Sequence, residues 1–189
     1  GYGANKKLLE KYIPEIVNAH YHGHDGNQGD AIIWGESLGA SIKDMGAFQG
    51  HGAVITPHNI HIGWPAITEG GIQVNKNGLR FSNENQGYSE QALNVVRQID
   101  HVAWTVWDQR CENVATQMHS HQEATKANAI KKFNNVTELA GYIGCNTEKL
   151  QETLHSVERY CLGDLQANFG RDFKKNPPRD PPYYIAKIK

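Results

Sequence analysis

The chain has 189 residues, and its 19 basic and 20 acidic residues leave a formal net charge of -1. No segment concentrates positive charge, which argues against a surface for nucleic acid, and no apolar run reaches the roughly 20 residues that a membrane-spanning helix needs. The length allows one well-packed core, or one domain together with part of a second.

Local signals predict two helices near the N-terminus. Asn5 can cap the first helix, and Pro14 stops it. The second is predicted to begin with Asp30 as its cap and to end at Gly39.

His20, His22 and His24 alternate along the chain, and Asp25 follows them. Alternate residues of a strand share one face, so these side chains could serve as metal ligands. The alternative, which we favour, is a polar loop that leads into the turn at 26–30. We therefore predict no metal site.

A β-hairpin is predicted directly after Gly70 and Gly71. Residues 72–75 alternate apolar and polar, as in a half-buried strand, and Asn77-Gly78 suits a tight turn. In the return strand we expect Phe81 to point inward and Arg80 and Ser82 to point outward. A polar loop, rich enough to line a site, follows the hairpin.

The remaining pattern mixes helices and strands. Residues 46–71 lack a sustained period and predict a loop-rich connection. The other predicted elements are a helix at 89–99, a buried strand at 101–108, helices opened by Asn135 and by Asn146 or Thr147, and a strand at 183–188.

Cys111, Cys145 and Cys161 are odd in number, widely spaced and without a C-x-x-C pair. This pattern favours reduced thiols over a disulfide framework or a zinc site, and it predicts a cytoplasmic protein. A reactive cysteine is the less favoured alternative.

Three segments resemble, in order, motifs of the fumarate reductase and succinate dehydrogenase flavoprotein family, which includes the ketosteroid dehydrogenases. Residues 70–84, GGIQVNKNGLRFSNE, are similar to the family signature GG-x-x-V-N-x-x-G-x-R-F-x-N-E. Residues 26–32, with Leu38-Gly39-Ala40, resemble the T-G-D-G-I turn and the helix after it. Gln49-Gly50-His51 stands where the family has Q-x-H-P-T.

This resemblance implies an α+β fold: the capping, substrate-side domain of a fumarate reductase-like flavoprotein, with part of the FAD-binding domain on its N-terminal side. Residues 1–48 would be the incomplete FAD-binding part, 49–182 the capping domain, and 183–189 the start of a strand that returns to the FAD-binding domain. The G-x-G-x-x-G dinucleotide motif is absent from the chain. We therefore expect a fragment that neither holds FAD tightly nor turns over alone, with the rest of the FAD-binding domain as its partner.

The enzymes that this chain resembles move a hydride between the flavin and one carbon of a C–C bond beside a carbonyl or carboxylate, while a protein group handles the proton at the neighbouring carbon. By position, the resemblance assigns His51, Trp64 and Ile67 to the small-molecule substrate. Fumarate reductases carry acidic and basic groups of a proton pathway where Trp64 and Ile67 stand. These apolar side chains cannot relay protons, so the usual fumarate reductase mechanism is disfavoured.

Tyr88 stands where fumarate reductases have their proton-donating arginine, and it resembles the cap tyrosine of the ketosteroid dehydrogenases. We therefore assign Tyr88 as the catalytic residue. The resemblance assigns four residues to the cofactor: Gly29, Asp30, Asn83 and Glu84.

Alternatives remain open at this point. His51 can be a hydrogen-bonded loop residue, Tyr88 a packing residue, and Arg80 and Glu84 a brace for the hairpin. The whole protein can be an unsaturated-acid reductase with a different proton donor. It can also be a non-catalytic ligand-binding or interaction domain that kept the fold.

Overall fold

In the computed structural model, which describes residues 1–189, the chain divides into two units, Gly1–Gln49 and Gly50–Lys189. The regular elements of the first unit are α1 (Lys6–Tyr12), a 3-10 turn (Pro14–Ile16) and α2 (Asp30–Ser37). The second unit contains every strand and the other α-helices. None of the helices combines the length and apolarity needed to cross a bilayer.

Capping chemistry explains where the two N-terminal helices begin. Asn5 caps α1 as predicted, because its side-chain oxygen accepts a hydrogen bond of 3.1 Å from the Leu8 backbone N–H. The predicted cap of α2 is wrong: Asp30 is the first helical residue, and Gly29 precedes it in the left-handed region (φ 85°). The backbone angle favours glycine, and a Cβ atom at this position would also lie 2.4 Å from Leu8 Cδ1, so the Leu8 side chain would have to shift.

An antiparallel sheet of six strands organises the second unit. The strands are β1 (Val54–Ile55), β2 (Ile60–His61), β3 (Ile72–Val74), β4 (Ala103–Asp108), β5 (Lys131–Phe133) and β6 (Tyr183–Ile188). Their order is β2-β1-β6-β4-β3, and β5 also pairs with β6. The strand predicted at 183–188 is therefore present, and it lies in the middle of this sheet.

Helices cover both faces of the sheet. They are α3 (Pro65–Thr68), α4 (Tyr88–Val96), α5 (Gln109–Ala115), α6 (His119–Lys126), α7 (Val136–Ile143) and α8 (Thr147–Leu162). One face buries Ile72 and Ile185 with Leu139 of α7 and Leu150 of α8. The opposite face buries Trp107 with residues of α3 to α6. Because both faces are covered, every residue of β4 is buried, and the mixed α+β class is confirmed.

The predicted hairpin is present only as far as its turn. The Asn75 N–H donates to the Leu79 carbonyl at 2.9 Å, and Gly78 adopts the positive φ of 75° that the turn requires. Beyond the turn, a single bridge between Arg80 and Val74 replaces the expected return strand.

Polar side chains of this hairpin face the interior. The prediction that Arg80 and Ser82 point outward is wrong, since the Arg80 side chain is 5% exposed and Ser82 is 7% exposed. Gln73, expected on the polar face of a half-buried strand, is also fully buried. Buried partners explain the inward orientation, because Arg80 pairs with Glu84 and the Ser82 hydroxyl donates to Gln91.

The two C-terminal helices begin and end as predicted. Asn135 caps α7 and Asn146 caps α8, each through a side-chain oxygen that accepts a backbone N–H. Gly144 and Gly163 follow them in left-handed conformations (φ 78° and 82°), which stop the helices.

Some elements were not predicted. Residues 109–134 form α5, α6 and β5, and α6 buries only His121 and Ala124, so it lacks an apolar stripe. The segment 46–71 contains β1, β2 and α3 within its loops. The helix predicted at 89–99 ends at Val96 instead, which leaves Ile99 53% exposed.

Candidate functional site

Four side-chain rings lie together in the second unit: His51, His61, Trp64 and Tyr88. His51 is the central ring, with centroid distances of 4.5 Å to His61, 5.3 Å to Tyr88 and 5.7 Å to Trp64. Tyr88 stacks on His51 at an interplanar angle of 20°, and Trp64 meets Tyr88 edge-on at 82°. The structure therefore brings three predicted site residues together and adds His61, which has no sequence signal of its own.

Backbone contacts hold the His51 loop against the first turn of α4. The Gly52 N–H donates to the Tyr88 carbonyl at 2.8 Å, and the Ser89 hydroxyl donates to the Gly50 carbonyl at 3.1 Å. A Cβ atom at Gly52 would lie 2.6 Å from the backbone carbon of Gln91. The ring cluster therefore depends on a glycine directly after His51.

Hydrogen bonding defines the tautomer of His51. The Ala53 N–H donates to His51 Nδ1 at 3.3 Å, so a neutral His51 ring carries its proton on Nε2. Tyr88, the first residue of α4, is 41% exposed. The cluster thus places an imidazole beside a phenol, two groups that can hold and transfer protons.

A buried polar network lies behind Trp64. The N–H of the preceding residue, Gly63, donates to His121 Nδ1 at 3.4 Å. His121 Nε2 lies 3.0 Å from a Glu112 oxygen, which also accepts a 2.7 Å hydrogen bond from the Trp107 indole. His121 is fully buried and fixes the loop that carries Trp64. Glu112 and His121 lie in the region where the sequence predicts no element.

Ile67 lies outside the ring cluster. Its side chain is fully buried, and its backbone carbonyl accepts a 2.8 Å hydrogen bond from Arg171. In this structure Ile67 serves packing and backbone contacts, while its predicted contact with substrate stays a prediction.

A buried ion pair supports the polar loop after the hairpin. Arg80 donates from Nε and Nη2 to the two oxygens of Glu84, both at 2.7 Å, and Arg171 Nη1 donates to Glu84 at 3.1 Å. The Glu84 side chain is 0% exposed. Burial alone would raise the pKa of Glu84, but the hydrogen bonds and charge of Arg80, with the charge of Arg171, lower it below its ordinary value.

Phe173 packs between the two arginines of this ion pair. Its ring centroid lies 4.9 Å from the Arg80 guanidinium and 4.4 Å from that of Arg171. Arg171 and Phe173 were not predicted, because nothing in their own segment indicates a partner near residue 84. Asn83, next to Glu84, is half-buried, and its side-chain oxygen accepts the Asn85 N–H at 3.1 Å.

In the first unit, Gly29 and Asp30 stand at the start of α2. Asp30 is exposed, while Gly29 is buried against Leu8 and Tyr2. The first turn of a helix leaves backbone N–H groups without intrahelical acceptors, and such groups bind anionic or carbonyl oxygens. The start of α2 therefore offers backbone N–H donors together with the carboxylate of Asp30.

Metal ligation receives no geometric support. The structure places no group of three or more His, Cys, Asp or Glu side chains where they could hold a metal ion. His24, one of the alternating histidines, instead accepts the Gly26 N–H through Nδ1 at 2.9 Å.

Comparisons with known proteins agree on one family. A probable fumarate reductase of Shewanella frigidimarina (strain NCIMB 400) is 25% identical over 189 residues, which cover 100% of this chain and 32% of that protein. A 3-oxosteroid 1-dehydrogenase of Mycobacterium tuberculosis (strain H37Rv) is 26% identical over 226 residues, which cover 100% of this chain and 39% of that protein. The chain thus spans about a third of the length of the first relative and about two fifths of the second.

A solved structure shows the same fold. The open conformation of a flavocytochrome c3 fumarate reductase matches with a TM-score of 0.80 and 25% identity, covering 100% of this chain and 33% of the other. The profile of the family described as "FAD binding domain" matches residues 1–189, so it includes both units. The chain therefore belongs to the FAD binding domain family.

Proposed function

We propose that this chain is part of an FAD-dependent oxidoreductase that reduces or dehydrogenates a C–C bond beside an activating carbonyl or carboxylate. We further propose that its second unit is the capping domain of that enzyme and its first unit a piece of the FAD-binding domain. The boundary between the two units, after Gln49, supports this division. The ring cluster around His51 carries the functional proposal, because it gathers three residues expected on the substrate side.

Each unit, taken by itself, carries residues that we propose as contacts for FAD. In the first unit, the start of α2 at Gly29 and Asp30 supplies backbone donors and a carboxylate suited to the polar edge of a cofactor. In the second unit, Asn83 is the proposed contact, and Glu84 acts by holding the loop in place through its two arginines. FAD, when bound, supplies or accepts the hydride.

Tyr88 is the proposed proton-handling group. Its phenol O–H can donate a hydrogen bond to a substrate oxygen or a proton to a substrate carbon. Its partial exposure, 41%, leaves the ring accessible to a ligand, and stacking on His51 fixes its direction. The proposed role of His51 is to donate a hydrogen bond from Nε2 to the activating oxygen.

Trp64 and Ile67 are proposed to shape the substrate side without moving protons. Trp64 meets both His51 and Tyr88 in edge-on ring contacts, which gives the cluster an apolar side. Ile67 supports the turn after α3 from within the core.

The test uses the FAD-loaded enzyme that contains this chain, with fumarate and a 3-oxosteroid as probes. Flavin oxidation state is followed by absorbance while each probe is added under reducing or oxidising conditions. Tyr88→Phe is expected to lower kcat by about 10²- to 10⁴-fold, the usual contribution of a positioned acid or base. Tyr142→Phe is the matched control, because Tyr142 is similarly exposed (39%) and lies on α7.

Three results would count against this assignment. Flavin that responds to neither probe would argue against the proposed substrate class. A Tyr88→Phe enzyme with the parent kcat would remove Tyr88 from the chemistry. Equal losses in both tyrosine variants would indicate a general structural effect.

A further inference from the structure

Gln73 lies on β3 and is fully buried, although its side chain ends in a polar amide. Its Nε2 donates to the Gly52 carbonyl at 2.7 Å and to the Thr105 hydroxyl oxygen at 3.2 Å. Its Oε1 accepts a 2.6 Å hydrogen bond from Nε2 of Gln91, which is also fully buried. One amide on β3 thus joins this strand to β4, to α4 and to the loop that contains Gly52.

The hydrogen-bond partners determine which way these two amides point. A backbone carbonyl can only accept, so Gln73 must present its NH2 group to Gly52, which leaves its Oε1 facing Gln91. Gln91 must then present its own NH2 group, and its Oε1 accepts from the Ser82 hydroxyl at 2.8 Å and from Asn94 Nδ2 at 3.1 Å. Turning either amide over would place acceptor against acceptor or donor against donor. The Gln73 side chain is therefore held in one orientation.

The hydrogen bond to the Gly52 carbonyl also determines how His51 is held. The C=O of Gly52 and the N–H of Ala53 belong to one planar trans peptide group, so fixing the carbonyl fixes the direction in which the N–H points. That N–H donates to His51 Nδ1 at 3.3 Å. The N–H of Gly52 itself donates to the Tyr88 carbonyl at 2.8 Å. Gln73 thus acts on the His51 ring through a single peptide group, next to the start of α4.

Building on the proposed function, we propose that Gln73 is a positioning residue that orients the His51 imidazole relative to Tyr88. Its contact with Gln91, which lies three residues after Tyr88, joins the same amide to the first turn of α4. Without the Gln73 amide, the buried Gly52 carbonyl loses its donor, and its peptide group can rotate to find another. Such a rotation moves the N–H donor away from the His51 ring.

Three substitutions separate this positioning role from packing. Gln73→Met keeps the length and bulk of the side chain and removes every hydrogen bond of the amide. Thr105→Val is the matched control, because it removes the 3.2 Å hydrogen bond from Gln73 to the neighbouring strand and leaves the other two. Gln73→Asn is a milder variant, which retains an amide that is one methylene too short to reach both the loop and α4.

Imidazole nitrogen NMR signals of the 189-residue chain give the first readout. The Nδ1 signal of His51 is expected to shift in Gln73→Met and in Gln73→Asn, because this nitrogen loses its N–H donor or is held less tightly by it. The same signal is expected to stay unchanged in Thr105→Val.

The kcat/KM of the FAD-loaded enzyme gives the second readout, with whichever of fumarate or a 3-oxosteroid the parent converts. Gln73→Met is expected to lower kcat/KM by roughly ten- to hundredfold, because misplacing a reacting group by about 1 Å has a cost of that order. Thr105→Val is expected to retain the parental value, since it leaves the contact with the His51 loop in place.

The outcomes distinguish this inference from the proposed function. If the His51 signal shifts in the Gln73 variants alone but the parent changes the flavin with neither probe, Gln73 orients His51 and the redox proposal fails. If the parent is active and Gln73→Met retains both the parental signal and the parental kcat/KM, the positioning role is refuted. Equal changes in Gln73→Met and Thr105→Val would show a packing role and would also overturn the inference. If Gln73→Met does not fold, the comparison of Gln73→Asn with Thr105→Val decides in the same way.

Discussion

Arg171 Nη1 lies 3.1 Å from a Glu84 oxygen, although the two residues are 87 positions apart in the sequence. The same Arg171 nitrogen donates to the Gly71 carbonyl at 2.8 Å, and Nη2 donates to the Ile67 carbonyl. One arginine from the C-terminal loop thus joins α3, the residue directly before β3 and the polar loop after the hairpin. This contact, together with Arg80, holds the segment that carries Asn83.

Glu84→Gln is expected to destabilise the second unit strongly. The substitution removes the only carboxylate that Arg80 and Arg171 share, and it leaves two buried guanidinium groups without that charge. Removing one partner of a buried ion pair typically costs about 3–5 kcal/mol. Urea unfolding followed by circular dichroism measures the change in the free energy of unfolding.

A surface ion pair of equal length provides the control. Lys76 and Asp100 also approach to 2.7 Å, but their side chains are 49% and 62% exposed. Asp100→Asn is therefore expected to leave the unfolding free energy unchanged within error, because solvent screens exposed pairs. Equal losses of unfolding free energy in the two variants would show that the buried ion pair of Glu84 stabilises the fold no more than an exposed pair does.

The contribution of Glu84 is also expected to depend on pH. Arg80 and Arg171 lower the pKa of the folded-state carboxyl despite the opposing effect of burial. The stabilisation is then complete above the unfolded-state pKa of about 4.3, and it is lost as the pH falls through the lower folded-state value. Urea unfolding of the parent and of Glu84→Gln at stepwise lower pH should show a difference that is constant near neutrality and shrinks in acid. A difference that grows in acid would contradict the direction of this shift.

Cys111 is expected to resist thiol reagents. Its side chain is fully buried, and burial, together with the charge of Asp108, raises the pKa of its thiol to about 11. The thiolate is the reactive species, so native alkylation at mildly alkaline pH should modify Cys145 and Cys161, both partly buried, before Cys111. Mass spectrometry of the alkylated peptides measures the order. Equal rates for all three thiols in the folded protein would show that the Cys111 environment is open.

The sequence predicts the local features of this fold better than its long-range contacts. The caps at Asn5 and Asn135 depend on residues within a few positions and are found as predicted, and α8 is capped by Asn146, one of its two predicted candidates. The inward orientation of Arg80 depends on Glu84 and on Arg171, whose location no local pattern indicates.

In the candidate site, too, some residues are predicted from the sequence and others depend on long-range contacts. Motif position indicates His51, Trp64 and Tyr88, and the structure places their rings together. His61 has no motif, and only the pairing of β2 with β1 brings it beside His51. The fully buried Ile67 shows the converse, because a position matched in sequence lies apart from the rings in space.

Gly52→Ala is expected to disturb the ring cluster as well as stability. The new Cβ would lie 2.6 Å from the backbone carbon of Gln91 and 2.8 Å from the Ala92 nitrogen, and backbone atoms cannot move aside as a flexible side chain does. Overpacking of this kind typically costs about 1–3 kcal/mol, and relief requires that the loop move away from α4 and carry His51 with it. Thermal unfolding measures the first effect, and the imidazole NMR signal of His51 reports the second.

Gly141→Ala supplies the matched control for that substitution. Gly141 lies within α7, and a Cβ atom there meets nothing within 4 Å. Alanine favours a helix over glycine by about 0.8–1.0 kcal/mol, so this variant should be more stable than the parent and leave the His51 signal unchanged. Both substitutions add one methyl group, so the opposite signs follow from the backbone clash at Gly52 and from helix propensity in open space at Gly141. A Gly52→Ala protein with parental stability and an unshifted His51 signal would show that the loop does not press on α4 as the structure describes.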